Sequence, residues 1–154
     1  MTLNDLIGPD AVVSPLRAAS KKQAIQALAN RASELTGLEA RDIFDTLLER
    51  ERLGSTGIGR GVAIPHGRMS GLERLFGLFA RLDRPIDFDA SDDQPVDLVV
   101  LLLAPEGSGA DHLKALAHVA RLLRDDDAAS RLRSTQEPNA VYEILTRSQR
   151  PKAA

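Results

Sequence analysis

Cysteine is absent from this chain, which excludes disulfides and thiolate metal sites. Aromatic residues make up only 3%, without a single tryptophan. Base-stacking platforms and aromatic ligand cages need more than that. Neither sign of charge dominates: 20 Lys and Arg against 22 Asp and Glu leave a net charge of −2. A nucleic-acid binder would need a basic face, so none is expected. Long apolar runs are missing too. The longest, Leu98 to Ala104, is far too short to span a bilayer. The start, Met1-Thr2-Leu3-Asn4-Asp5, lacks the basic-then-apolar pattern of a signal peptide. The expectation is a cytoplasmic domain that is not membrane-embedded.

What is present suits one ordinary globular domain: 154 residues, 43% hydrophobic and 27% charged. Leu3 to Ile7 reads as a helical turn, and Ala11-Val12-Val13 as a short strand ending near Pro15. Ser20-Lys21-Lys22-Gln23 is a capping-box pattern. Ile25, Leu28, Ala29, Ala32 and Leu35 then recur at helical spacing up to Gly37. A second helix is predicted over 39–52, with Ile43, Phe44, Leu47 and Leu48 as its apolar stripe. Leu75 to Leu82 reads as a strand, followed by a polar connection from Pro85 to Asp93. Val96 to Ala104 is predicted as a central strand buried on both faces. Asp111 is expected to cap a helix over 112–124 that buries Leu113, Leu116, Val119, Ala120 and Leu123. A short helix through Leu132 and a last one over 138–146 complete the chain. Strands interspersed with helices predict an α/β fold, a single-domain sandwich with a mixed β-sheet flanked by helices. That domain covers 1–147, and 148–154 reads as a polar C-terminal tail.

The densest punctuation lies between Gly54 and Gly67. Val62, Ala63 and Ile64 read as a strand that Pro65 ends, having no N–H to give. His66 is then expected just past the strand end, exposed, with Gly67 turning the chain away. Gly57, Gly59 and Gly61 are expected to bring backbone N–H groups toward an anion. An exposed imidazole beside such a backbone suggests phosphate chemistry on histidine. On spacing alone, His66 also fits a solvent-exposed turn residue.

Other residues compete for the same chemistry. Arg50 falls beside Ile43 and Leu47 at about 100° per residue. It reads either as a site residue or as a snorkelling side chain. Arg52 and Arg60 are rivals to it. Ser55 and Thr56 offer hydroxyls to a phosphate, although such residues also form turns. His112 begins a helix, where its ring and the backbone N–H groups face an anion, or else packs at the core edge. His118 is expected on the surface with Lys114 and Arg121. A gap of six separates His112 from His118, unlike the i, i+4 pair zinc favours. No metal site is expected. Gly-x-Ser-x-Gly is absent, and no Gly-Lys-Ser/Thr follows the glycines. A serine hydrolase and an ATP-binding Walker loop are therefore disfavoured.

The run Gly-Ser-Thr-Gly-Ile-Gly, followed by Gly-x-Ala-Ile-Pro-His-Gly, resembles the IIA components of the bacterial sugar phosphotransferase system. The mannitol/fructose-type family is meant, and within it the nitrogen-regulatory branch is most similar. The likeness runs from about Leu6 to about Arg147. It implies that His66 is a phosphorylated nucleophile, with Nε2 as the reacting nitrogen. It implies that His112 steadies the phosphate and that Arg50 stabilises its charge. Ser55, Thr56 and Gly67 are secondary candidates for phosphate contact. The resemblance implies no cofactor and a phosphotransferase component working through a covalent phosphohistidine. An HPr-like phosphocarrier protein, charged through phosphoenolpyruvate and an enzyme I, would be the donor. It would dock on the rim around His66, steered by Arg50, Arg60 and Arg68. With no sugar-specific domain or membrane segment read in the chain, the implied output is regulatory. The targets would be transporters, sensor kinases or metabolic enzymes. Two alternatives remain: a sugar-specific IIA that passes phosphate to a IIB transporter domain, and a partner-sensing module that is never phosphorylated.

Overall fold

The computed structural model describes residues 3–147; the tail expected over 148–154 lies outside the described residues. Twelve elements follow in chain order among those described. They are α1 (Leu3–Leu6), β1 (Val12–Leu16), α2 (Lys21–Thr36), α3 (Ala40–Leu53), β2 (Gly57–Gly59) and β3 (Val62–Ala63). Then come β4 (His66–Met69), β5 (Phe76–Ile86), β6 (Val96–Pro105), α4 (Gly109–Arg124), α5 (Asp126–Ser134) and α6 (Pro138–Arg147). One mixed sheet runs β1-β5-β6-β3-β2, and β4 also pairs with β6. The α/β sandwich expected from the sequence is the observed architecture.

β6 is the centre of the sheet because its side chains suit burial on both faces. Leu98, Val99, Leu101, Leu102, Leu103 and Ala104 are fully buried. Each buried Leu or Val contributes about 1.5–3 kcal/mol by leaving water. β5 pairs with it antiparallel, while β3 and β4 lie parallel along its other edge. β5 is longer than expected, running on through Pro85 to Ile86. β1 continues through Pro15 to Leu16. As an edge strand paired only with β5, it can hold a proline without losing a central ladder bond.

The helices follow their caps and stripes. The Ser20 hydroxyl accepts from the Gln23 N–H at 3.2 Å, and Gln23 Oε1 accepts from the Ala19 N–H at 2.9 Å. The box therefore closes one residue earlier than the sequence pattern predicts. α3 buries Ile43, Leu47 and Glu51, so the stripe ends on an acid, and Phe44 and Leu48 are only half-buried. α4 departs most from expectation. It starts at Gly109 after Ser108, so Asp111 lies in the first turn and is not the cap. It buries His112, Ala115, Val119, Leu122 and Leu123, and Leu113 is 66% exposed. The face is rotated because His112, not Leu113, turns inward. His118 is half-buried, with a buried Nε2 that meets no hydrogen-bond partner among the described residues, and so is not a plain surface residue.

Candidate functional site

The segment leading to His66 differs from the expected loop. β3 pairs Val62 with Leu98, and β4 pairs His66 with Leu102. The offset is 36 both times (98 − 62 and 102 − 66), so one extended chain runs past Pro65 without losing register. Pro65 lacks an N–H but its carbonyl still accepts from the Leu102 N–H at 2.9 Å. The Ile64 N–H turns aside to the Thr56 carbonyl at 3.0 Å. His66 is thus the first residue of a strand, half-buried, and not an unshielded loop tip.

This position sets the chemistry of the ring. His66 Nδ1 lies 2.8 Å from the Ile64 carbonyl oxygen. A carbonyl only accepts, so Nδ1 carries the proton and the neutral ring keeps its lone pair on Nε2. Burial pushes the His66 pKa below the ordinary histidine value. The Ile64 hydrogen bond and the Glu51 charge oppose that shift, and Arg50 reinforces it. The imidazole is therefore neutral at pH 7.

α4 brings a second ring against the first. The His66 and His112 centroids are 5.4 Å apart, with 73° between the planes. His112 is buried, and its Nε2 has no partner among the described residues. Burial, followed by the charges on His66 and Arg68, lowers its pKa to about 4. A buried ring nitrogen without a partner costs free energy unless something polar reaches it. The residue also lines the pocket beside His66, where an oxyanion brought to that nitrogen would supply the partner.

An open pocket of about 580 Å³ joins these groups, lined by Arg50, His66, Gly67, Arg68 and His112 together with Leu53 and Leu113. Arg50 reaches it from the last turn of α3, where its Nη1 donates to the Gly54 carbonyl at 2.9 Å. Arg68 reaches it from β4, two residues after His66 and therefore on the same strand face. The centre holds one nucleophilic nitrogen, one unpaired ring nitrogen and two guanidinium groups. That combination suits a phosphoryl group.

Several expected residues sit elsewhere. The Ser55 hydroxyl donates to the Phe88 carbonyl at 2.7 Å and accepts from the Gly57 N–H. The Thr56 hydroxyl and N–H both go to the Glu51 carboxylate. Arg52 is exposed and lies outside the pocket lining. Gly59 and Gly61 do not make an anion cradle at His66. They flank Arg60 in a two-residue hairpin with φ of 57° at Arg60 and 80° at Gly61, the loop whose twist suits antiparallel strands. That hairpin precedes Val62, four strand residues or about 13 Å from His66. Arg60 is held there by Asp126 at 3.3 Å, while its N–H donates to Asp92. It lies outside the lining of the His66 pocket.

Glu51 is the residue that sequence reading passed over. It is 7% exposed, pairs with Lys21 Nζ at 2.7 Å and ties the start of the glycine segment to α3 through Thr56. Lys21 also lies 5.0 Å from the centroid of the Phe88 ring. The signal was present: Glu51 follows Ile43 and Leu47 at the same four-residue spacing. The exposed Leu53 and Leu113, 85% and 66% accessible, also escaped notice as a pair because they come from different helices.

Fold and site together define an α/β domain built around a half-buried, tautomer-fixed histidine set among cations. Residues 5–148 match the family model described as phosphoenolpyruvate-dependent sugar phosphotransferase system, EIIA 2. The chain belongs to that family. It is 60% identical over 145 residues to a nitrogen regulatory protein of Bradyrhizobium diazoefficiens, covering 94% of this chain and 95% of that one. A fructose-specific EIIA component of Haloferax volcanii is 36% identical, covering 82% and 83% of the two chains. Among solved structures, nitrogen regulatory protein IIA-Ntr of Neisseria meningitidis superposes with a TM-score of 0.88 at 34% identity, covering 94% of this chain and 99% of that one. No helix among the described residues is long and apolar enough to cross a membrane.

Proposed function

We propose that this chain is a phosphocarrier that receives a phosphoryl group on His66 Nε2 from the phosphohistidine of an HPr-like protein, with a regulatory output. One observation carries the reading: His66 Nδ1 lies 2.8 Å from the Ile64 carbonyl oxygen, so its N–H is spent there. The nucleophilic lone pair is thereby assigned to Nε2.

In the transfer, that lone pair forms a bond to phosphorus. The P–N bond of the donor breaks, and its electron pair returns to the donor imidazole. The His66 ring gains positive charge and keeps its Nδ1 proton, so the Ile64 hydrogen bond strengthens as the reaction proceeds. Arg50 and Arg68 stabilise the phosphoryl oxygens, and the His112 Nε2 finds its partner in one of them. Burial lowers the pKa of both rings, which favours the neutral, nucleophilic form of His66 at pH 7.

The donor docks on the apolar rim formed by Leu53 and Leu113. Phosphate then adds about 1.5–2 negative charges at that rim, enough to change which partner binds. The names of the relatives at 60% and 34% identity support a nitrogen-regulatory output; the fructose-specific relative keeps transfer to a sugar IIB domain as the competing reading. Incubation with phosphoenolpyruvate, an enzyme I, an HPr-type donor and a purified sugar IIB domain separates the two. Label that stays on this chain supports the regulator; label that passes rapidly to the IIB domain supports the sugar carrier.

A further inference from the structure

We propose that Gly67 is a positioning residue: its missing side chain lets α3 lie close enough against β4 to hold the Arg50 guanidinium at His66. This rests on reading His66 as the phosphoryl acceptor.

A Cβ built on Gly67 would sit 2.6 Å from Thr46 Cγ2, with Thr46 Cβ at 3.8 Å and the Thr46 carbonyl oxygen at 3.9 Å. Carbon atoms do not approach to 2.6 Å, so any side chain at position 67 must displace Thr46. The backbone gives no other reason for glycine. Gly37, Gly54, Gly59, Gly61 and Gly71 have positive φ, whereas Gly67 does not. Its conformation is open to every residue, and only the space is not.

Thr46 has little room to swing aside. Threonine in a helix is confined to two χ1 rotamers, so relief comes from the second of them or from a retreat of the helix, and the retreat is the route by which Gly67 acts on Arg50. Thr46 and Arg50 are four residues apart, one turn along the same face of α3. A retreat at Thr46 therefore carries Arg50 with it. Strand alternation puts Gly67 on the opposite side of β4 from His66 and Arg68. The added methyl would thus meet Thr46 at the α3 side of the pocket that both residues line, and not the His66 ring itself. The charged and titratable groups around His66 are Glu49, Arg50 and Glu51 from α3, His112 from α4 and Arg68 from β4. Of these, α3 carries three that a retreat would move, and Arg50 is the larger of the two α3 charges acting on the ring.

The test pairs Gly67→Ala with Thr46→Ala in the full chain. It reads the rate of phosphoryl transfer from an HPr-type donor and the NMR titration of the His66 ring. Misplacing a catalytic group by about 1 Å costs up to about a hundredfold in rate. Gly67→Ala is expected to slow transfer by roughly tenfold or more and to raise the His66 titration point as the Arg50 charge recedes. In the Thr46→Ala background, where Cγ2 is gone, the same change is expected to cost about twofold or less. A wild-type rate and titration in folded Gly67→Ala overturn the proposal, as does an equal loss in both backgrounds. Should Gly67→Ala not fold, Thr46→Ile presses on the same contact from the helix side, and an unchanged rate and titration there overturn it. The titration needs no donor. A wild-type chain that takes no phosphoryl group removes the functional reading while the titration still decides the geometry.

Discussion

The His112 ring stands edge-on to the His66 ring, 5.4 Å between centroids and 73° between planes, with its buried Nε2 unpartnered among the described residues. In the proposed carrier mechanism His66 attacks only while its own ring is neutral, and His112 contributes a hydrogen bond to the phosphoryl oxygens. Replacing His112 by Ala should leave the fold intact and slow transfer by roughly ten- to a hundredfold, the cost of one lost oxyanion donor or somewhat less. Quenched-flow labelling checks this. A rate equal to wild type would remove His112 from the site.

The same burial makes stability depend on pH. Burial lowers the His112 pKa in the folded state to about 4 from the ordinary histidine value of 6.5. Between those values the unfolded chain binds the proton and the folded chain does not, so stability rises with pH across that window. The contribution is complete above about 6.5 and is lost progressively as pH falls toward 4. Urea denaturation at pH 5 and pH 7 should show wild type losing more stability than His112→Gln. Parallel losses in both would contradict the buried, neutral placement.

Arg50 lowers the His66 pKa, so Arg50→Ala should raise the titration point of that ring. It should also slow transfer, because the bidentate partner for the phosphoryl oxygens is gone. Arg50→Lys keeps the charge but not the fork, and should recover the titration better than the rate. Ring NMR combined with transfer kinetics distinguishes the two effects.

Glu51 and Lys21 form an ion pair with side chains 3% and 19% exposed. Glu51→Gln would leave the largely buried Lys21 with the exposed Asp89, 3.6 Å away, as its remaining carboxylate. It should cost about 3 kcal/mol, the low end of the range for breaking a buried pair, because Lys21 keeps Asp89 and some water. Glu51→Gln combined with Lys21→Met should recover part of it. Denaturant midpoints provide the comparison.

Leu53 and Leu113 are exposed beside the pocket and support little of the core. A change of either to Asp should leave the melting temperature nearly unaltered. The KM for an HPr-type donor should rise severalfold, with kcat moving less. An unaltered KM would move the docking surface elsewhere.

Much of the fold could be read in advance because β6 and the two-faced helices carry strong periodicity. Val96 to Ala104 announced a central strand, and the Ser20 cap announced α2. The site was legible only where a motif named it. Pro65 suggested that the strand stopped, since a missing N–H is visible in sequence; that its carbonyl would keep the register with Leu102 is not. The glycine run suggested an anion cradle, yet the positive φ values at Arg60 and Gly61 serve a hairpin turn about 13 Å away. His112 was placed at the edge of an apolar face, and the face turned to bury it, because helical spacing fixes which residues share a side but not which side packs. Gly67 and Thr46 meet only in three dimensions.

The most direct test of the account is intact mass measurement at neutral pH after incubation with phosphoenolpyruvate, an enzyme I and an HPr-type donor, on wild type and His66→Ala together. The account predicts one acid-labile phosphoryl group on wild type and none on a folded His66→Ala. An unlabelled wild type with an active donor, or a labelled His66→Ala, would contradict it.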